Sequence, residues 1–82
     1  MLSLYGTAAC HLCEEALALL QQLDALRGWT LEWIDIAEDE RLLERYALQI
    51  PVLLWPAGGA RLNWPFSADD VLAALAPALM PQ

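Results

Sequence analysis

The chain has 82 residues, of which 59% are hydrophobic, and its formal net charge at pH 7 is −7. This length suffices for one small domain, taken here as residues 1–82, whose apolar core needs neither a metal nor several disulfides to stabilise it. Eleven acidic residues against four arginines and no lysine argue against nucleic acid and membrane as partners, because both are bound through clustered cations.

Two absences in the sequence bear on location. No apolar run reaches the length of about 18 residues that a membrane span requires. The N-terminus has neither the basic segment nor the small-residue cleavage site of a signal peptide. We therefore expect a cytoplasmic protein, and in that compartment a lone C-x-x-C pair is more often redox-active or metal-binding than structural.

Both cysteines and the only histidine lie in the segment Cys10–Cys13. The run before it, Met1–Gly6, is apolar and ends in a glycine, which predicts a strand. The run after it repeats leucine and alanine at helical spacing and predicts a helix over His11–Arg27, ended by Gly28. The cysteines therefore fall where a buried strand is followed by a helix.

A cysteine in the first turn of a helix is favourably placed as a nucleophile. The unpaired N–H groups and the positive end of the helix dipole stabilise an anionic sulfur, which lowers the pKa of the thiol from its free value of about 8.5. Glu14 and Glu15 follow closely and oppose the thiolate, so we expect only a moderate lowering for Cys10. A protonated His11 would favour the thiolate, whereas an exposed loop histidine would have little influence, and the sequence leaves both open.

The next segment predicts a second strand and a short helix. Thr30–Ile36 is β-branched and aromatic, as a strand requires. Asp35–Glu38 has the form of a capping box and predicts a helix over Glu38–Tyr46. We prefer this cap for Asp35 over the alternative role of a buried proton carrier. The residues expected to face inward are Leu42, Leu43 and Tyr46.

The last third of the chain predicts a hairpin and a final helix. Val52–Trp55 has no polar residue and predicts a strand buried on both faces. A turn separates it from Ala60–Trp64, which predicts an antiparallel partner strand. Ser67 and the acids after it predict the cap of the last helix, which Pro77 is expected to break early. The residues expected to face inward are Val71, Leu72, Leu75 and Leu79, and Pro81–Gln82 is expected to form a frayed end.

The order is strand, helix, strand, helix, strand, strand, helix. Strand–helix–strand units favour parallel pairing and the hairpin adds an antiparallel edge, so we predict an α/β fold with a mixed four-stranded sheet flanked by helices. This order resembles the thioredoxin superfamily, and within it the glutaredoxin-like branch. The resemblance rests on the C-x-x-C motif that opens the first helix and on Ile50–Pro51 before the third strand, and it covers nearly the whole chain.

The resemblance implies a thiol–disulfide oxidoreductase that needs no cofactor. Cys10 would then be the attacking thiolate and Cys13 the thiol that resolves the mixed disulfide. Pro51 would be a cis-proline that packs against the cysteines and keeps metal away. Ile50 would offer its backbone to an extended thiol substrate, with His11 and Leu12 on the same binding surface. The expected partner of the monomeric protein is a disulfide-containing protein or a small thiol.

Glutathione is a candidate co-substrate, although several residues depart from the glutaredoxin pattern. Thr7–Ala9 carries no charge where glutaredoxins often have a lysine or arginine, and Asn63–Phe66 replaces a pair of glycines. Ser67 and Asp69 lie near the expected position of the γ-glutamyl end, where capping explains them equally well. Two arginines of the second helix remain candidates to meet a carboxylate, namely Arg41 and Arg45.

Three alternatives compete with the redox function. A non-catalytic binding module on the same fold would use Trp64–Phe66 near the cysteines as a docking surface, although core packing explains these residues more simply. A metal site would have too few ligands in Cys10, His11 and Cys13, unless two chains shared one cluster. A purely structural disulfide would stabilise the fold by only about 2 kcal/mol, because the loop that it closes is so short.

Overall fold

The computed structural model describes residues 2–79, with the side chains of 78 and 79 excluded. Met1, the inward position of Leu79 and the fraying of Pro81–Gln82 therefore lie outside the described residues. The elements follow the predicted order. They are β1 (Leu2–Gly6), α1 (His11–Gln21), β2 (Leu31–Asp35), α2 (Glu40–Tyr46), β3 (Val52–Trp55), β4 (Ala60–Asn63) and α3 (Ala68–Leu79).

The four strands form one mixed sheet in the order β2-β1-β3-β4. β1 runs parallel to β2, and it pairs antiparallel with β3, which pairs antiparallel with β4. The predicted α/β class and the mixed four-stranded sheet are confirmed. No helix of residues 2–79 combines the length and the apolarity needed to cross a membrane.

The two faces of the sheet carry different cores, because successive side chains of a strand point to opposite faces. The larger core joins β1 and β3 to α1 and α3, and its buried residues are Leu2, Leu4, Ala16, Leu20, Leu53, Phe66, Val71 and Leu75. The smaller core, on the α2 side, consists of Ile36, Tyr46 and Val52. β3 is buried over its first two residues and half-buried over the last two, so the prediction of burial on both faces holds only in part.

α1 ends at Gln21, six residues before the predicted end. The chain leaves the helix at Leu23, whose backbone is extended, and a short 3₁₀ turn over Asp24–Leu26 follows. Gly28 has a φ of 88°, in the left-handed region that glycine adopts without strain. The apolar spacing continues past the true end because Leu23 and Leu26 still pack against the larger core.

α2 also begins later than predicted. Asp35 caps, as preferred, but it caps a 3₁₀ turn over Ile36–Glu38, accepting the N–H of Ala37 at 2.9 Å. A second cap, Asp39, accepts the N–H of Arg41 at 2.8 Å and starts α2. Of the residues expected to face inward, Tyr46 is buried and Leu42 half-buried, whereas Leu43 is exposed.

α3 begins at the predicted cap and passes the predicted break. The Ser67 hydroxyl accepts the N–H of Asp70, and the Asp70 carboxylate accepts the N–H of Ser67. This reciprocal pair satisfies two of the free N–H groups at the helix start. The helix continues through Pro77 to Leu79, so the expected early break does not occur.

Candidate active site

Cys10 is the N-cap residue of α1. Its backbone is extended, with φ −95° and ψ 108°, and its Sγ accepts the N–H of Cys13 at 3.1 Å. The Cys10 carbonyl accepts the N–H of Glu14 at 3.2 Å, which starts the helical ladder. The sulfur therefore occupies the place that a serine or aspartate oxygen takes in other helix caps, where negative charge is stabilised.

Cys10 and Cys13 form a disulfide in this structure, with their Cα atoms 5.2 Å apart. That separation lies within the usual range for bridged cysteines. The two residues differ in access, since Cys10 is partly exposed whereas Cys13 is fully buried. An external thiol can therefore reach the outer sulfur far more readily than the inner one.

The inner cysteine lies directly on the end of β1. A Cβ atom built on Gly6 would stand 2.8 Å from the Cys13 Sγ and 2.7 Å from Cη2 of Trp33. Both separations are shorter than real Cβ contacts allow, so only glycine fits between the cysteine and the indole. From the sequence, Gly6 was interpreted only as the end of a strand and Trp33 only as a strand residue, so their proximity to Cys13 was not predicted. The signal in the sequence was the glycine at the end of the strand that precedes the C-x-x-C motif.

The segment Ile50–Pro51 lies at the same edge of the sheet as Gly6, because the next residue, Val52, pairs with Tyr5. The Ile50–Pro51 peptide bond is cis, and Pro51 is fully buried. The Pro51 carbonyl accepts the N–H of Trp64 at 3.2 Å. A second cis bond, between Trp64 and Pro65, was not expected from the sequence.

The backbone of Ile50 is only partly available to a substrate. Its N–H donates to the Tyr46 carbonyl at 3.1 Å, which ties the segment to the end of α2. The expectation that Ile50 offers its backbone to an extended substrate therefore applies to its carbonyl and not to its N–H.

His11 and Leu12, between the cysteines, are both exposed. His11 Nδ1 lies 3.8 Å from a carboxylate oxygen of Glu14, and both side chains are largely in solvent. Leu12 is 47% exposed, and Leu48, two residues before Ile50, is completely exposed. Of the predicted binding residues, His11 and Leu12 are therefore on the surface, whereas Ile50 is half-buried and Pro51 is buried.

A polar cluster joins the end of α2 to β4. The guanidinium carbons of Arg45 and Arg61 each lie 5.5 Å from the ring centre of Tyr46. The Gln49 side chain accepts a hydrogen bond from Arg61 and donates one to the Arg45 carbonyl. The Tyr5 ring packs 4.9 Å from that of Tyr46, and burial, with Tyr46 and Glu32 nearby, raises the pKa of Tyr5 above 10.0.

The predicted docking and metal-binding residues can also be compared with the structure. Phe66 is buried in the larger core, and Trp64 packs against it edge to face, with ring centres 5.1 Å apart. These two residues therefore contribute to the larger core, while Pro65 between them is exposed. Among residues 2–79, no group of three or more histidine, cysteine or acidic side chains is arranged to hold a metal.

One cavity lies away from the cysteines. It has a volume of about 300 Å³ and lies at the opposite end of α1, where neither cysteine lines it. Its lining consists mainly of leucines together with Trp29, and Asp24 and Arg27 are among its polar residues. The cavity and the disulfide are therefore separate features of the molecule.

The strand and helix order, the mixed sheet and the C-x-x-C pair at the start of α1 define a protein of thioredoxin-like fold. The model of the family described as "Glutaredoxin-like domain (DUF836)" matches residues 1–76. The chain therefore belongs to the glutaredoxin-like domain family.

Solved structures of two similar proteins support this assignment. The X-ray structure of the protein XcR50 from X. campestris is 34% identical, with 99% of this chain and all of that chain covered and a TM-score of 0.79. The solution structure of protein Ne2328 from Nitrosomonas europaea is 33% identical, with 88% of this chain and 86% of that chain covered and a TM-score of 0.70. A comparison with curated proteins found no match.

Proposed function

We propose that this protein is a glutaredoxin-like thiol–disulfide oxidoreductase in which Cys10 is the nucleophile and Cys13 the resolving thiol. One observation supports the proposal above all others. The partly exposed sulfur of Cys10 caps α1 and accepts the N–H of Cys13, while the sulfur to which it is bonded is fully buried. This asymmetry supports the proposal of different roles for the two cysteines.

In the reduced protein, the Cys10 thiolate attacks one sulfur of a substrate disulfide. A new bond forms between Cys10 and that sulfur, the substrate disulfide breaks, and the released thiolate takes a proton. Cys13 then loses its proton to solvent and attacks the Cys10 sulfur. The Cys10–Cys13 disulfide forms, the second substrate thiolate leaves, and two electrons have passed to the substrate.

The Cys10 environment favours the first step. A hydrogen bond from a backbone N–H to a thiolate is stronger than one to a neutral sulfur, because the acceptor is charged. The Cys13 N–H is already aimed at the Cys10 Sγ at 3.1 Å, so no rearrangement of the helix start is needed. The exposed carboxylates of Glu14 and Glu15 oppose this effect only through solvent.

The exposure of His11 and Leu12 between the cysteines favours an extended, protein-borne disulfide as substrate. Leu12 and Leu48 offer exposed apolar contacts, and the carbonyl of Ile50 can accept a hydrogen bond from a substrate strand. Return to the dithiol needs two external thiols, for which glutathione is the candidate. Arg45 would then meet one of its carboxylates, because the Thr7–Ala9 segment provides no cation.

A redox titration against glutathione buffers, with mass spectrometry of each species, tests the proposal. We expect a reversible two-electron couple, in the glutaredoxin range of about −200 to −230 mV, and a glutathione adduct on Cys10. The Cys13→Ser variant should accumulate the mixed disulfide, and Cys10→Ser should form none. Absence of any reversible couple would contradict the proposal and favour the non-catalytic binding module.

A further inference from the structure

We propose that Trp33, packed over Gly6, shields the sulfur of Cys13 and thereby restricts attack by external thiols to Cys10. This inference deepens the proposed function and rests on it for its biological meaning. The shielding itself is a property of the fold that can be measured without any turnover.

The geometry at Gly6 supports the shield. Cη2 of Trp33 and Sγ of Cys13 lie 2.7 and 2.8 Å from a single point, the position that a Cβ of Gly6 would occupy. The tip of the indole and the inner sulfur are therefore close neighbours across a residue that has no side chain. Any other residue at position 6 would force one of them to move.

The position of Trp33 in the sheet explains why a shield is needed there. β2 is an edge strand of the sheet, so no strand lies beyond it. Trp33 pairs with Leu4, and its side chain reaches along the strands to the space beside Gly6. It is 39% exposed whereas Cys13 is 0% exposed. The indole thus has one side in solvent and the other toward the buried sulfur.

The identity of the attacked sulfur decides whether the reaction is productive. When an external thiolate attacks Cys10, a bond to Cys10 forms, the Cys10–Cys13 bond breaks, and Cys13 leaves as a thiolate that takes a proton. Attack on Cys13 would leave the adduct on the buried residue and release Cys10 instead. Access is one of the factors that select the attacked sulfur, and the indole removes access to Cys13.

Alkylation of single-cysteine variants tests the shield. In a Cys10→Ser background, Cys13 is the only thiol, and Trp33→Ala should raise its rate of reaction with iodoacetamide by about tenfold or more. Trp33→Phe, which keeps an aromatic ring, should give a smaller increase. In a Cys13→Ser background, Trp33→Ala should leave the alkylation rate of Cys10 within about twofold, because that sulfur is already accessible.

Trp29→Ala in the Cys10→Ser background is the matched control. It removes an indole of the same size that packs 5.9 Å from Trp55, at the far end of α1. If general loosening of the fold exposed Cys13, both alanine variants would raise the rate in proportion to their loss of stability. Equal rates in the two variants, at matched unfolding free energy, would overturn the proposal.

If Trp33→Ala fails to fold, the comparison of Trp33→Phe with Trp29→Phe replaces it, with the same expected order. Oxidised protein treated with glutathione gives an independent outcome. The adduct should lie on Cys10 in the wild type and partly on Cys13 in the Trp33 variant. Selective exposure of Cys13 in a protein without a reversible redox couple would support the shield while refuting the oxidoreductase function.

Discussion

The two ends of α1 differ in what they offer a partner. At its start, the sulfur of a partly exposed cysteine caps the helix and forms a disulfide with a buried one. At its end, the chain turns beneath a leucine-lined cavity of about 300 Å³ that contains no nucleophile. The cavity therefore does not coincide with the disulfide. The proposed reactivity of the other end rests instead on helix polarity and on the difference in exposure between Cys10 and Cys13.

The largest expected effect is a difference in disulfide-exchange activity between variants at the two ends of α1. Cys10→Ser should reduce disulfide exchange to the uncatalysed level, because a hydroxyl at this position does not ionise at neutral pH. Gln21→Ala, an exposed change at the cavity end, should leave the rate unchanged. A standard disulfide-reduction assay with a mixed-disulfide substrate measures both. Substantial exchange by Cys10→Ser would mean that Cys10 is not the nucleophile.

The next prediction compares the loss of stability caused by variants at the two ends of α1. Leu20→Ala, at a core position that lines the cavity, should lower the free energy of unfolding by about 2–5 kcal/mol. Leu12→Ala, beside the disulfide and 47% exposed, should lower it by less than about 1 kcal/mol. Urea unfolding of both oxidised variants makes the comparison. Similar losses in the two variants would show that the cysteine end contributes to the core after all.

A smaller effect is expected from adding a side chain at Gly6, beneath the disulfide. Gly6→Ala should cost about 1–3 kcal/mol, because the new Cβ meets the Cys13 sulfur and the Trp33 ring. It should also raise the alkylation rate of Cys13 in the Cys10→Ser background. Gly59→Ala, which meets no neighbouring atom but has a φ of 72°, should destabilise through the backbone alone and leave Cys13 protected. A protected Cys13 in Gly6→Ala would argue against the proposed shielding by Trp33.

The smallest effect concerns alkaline pH at the residue before Gly6. Burial raises the pKa of Tyr5 above 10.0, so the unfolded chain loses the phenol proton at lower pH than the folded protein. The stabilisation from Tyr5 is complete below pH 10 and is lost as the pH rises through the folded pKa. The free energy of unfolding should therefore fall more steeply above pH 10 in the wild type than in Tyr5→Phe. Parallel curves would exclude this contribution.

Local patterns predicted the fold better than its boundaries. The order of elements follows from periodicity and turn residues, and the position of the C-x-x-C pair at a helix start follows from the same patterns. The end of α1 was missed because Leu23 and Leu26 continue the apolar spacing from a 3₁₀ turn. The start of α2 was missed because Asp35 and Asp39 are both competent caps, and spacing alone does not choose between them.

The proximity of Trp33 to Cys13 could not be predicted from the sequence, for a different reason. It depends on the register of β1 against β2, and a shift by one residue would turn the indole to the other face of the sheet. The sequence does not determine this register, because β2 has apolar residues on both faces and either face could be turned toward the core. The same limit applies to the exposure of Leu48, which depends on how the chain leaves α2.

The capping bond from the Cys13 amide to the Cys10 sulfur has a spectroscopic consequence. An anionic sulfur accepts this bond more strongly than a disulfide sulfur does, so the amide proton should be held more tightly once the bridge is reduced at neutral pH. Its chemical shift in nitrogen-15 correlation spectra and its exchange with deuterium should therefore follow the oxidation state. A single backbone nucleus would then report the redox poise of the protein without any added dye or enzyme.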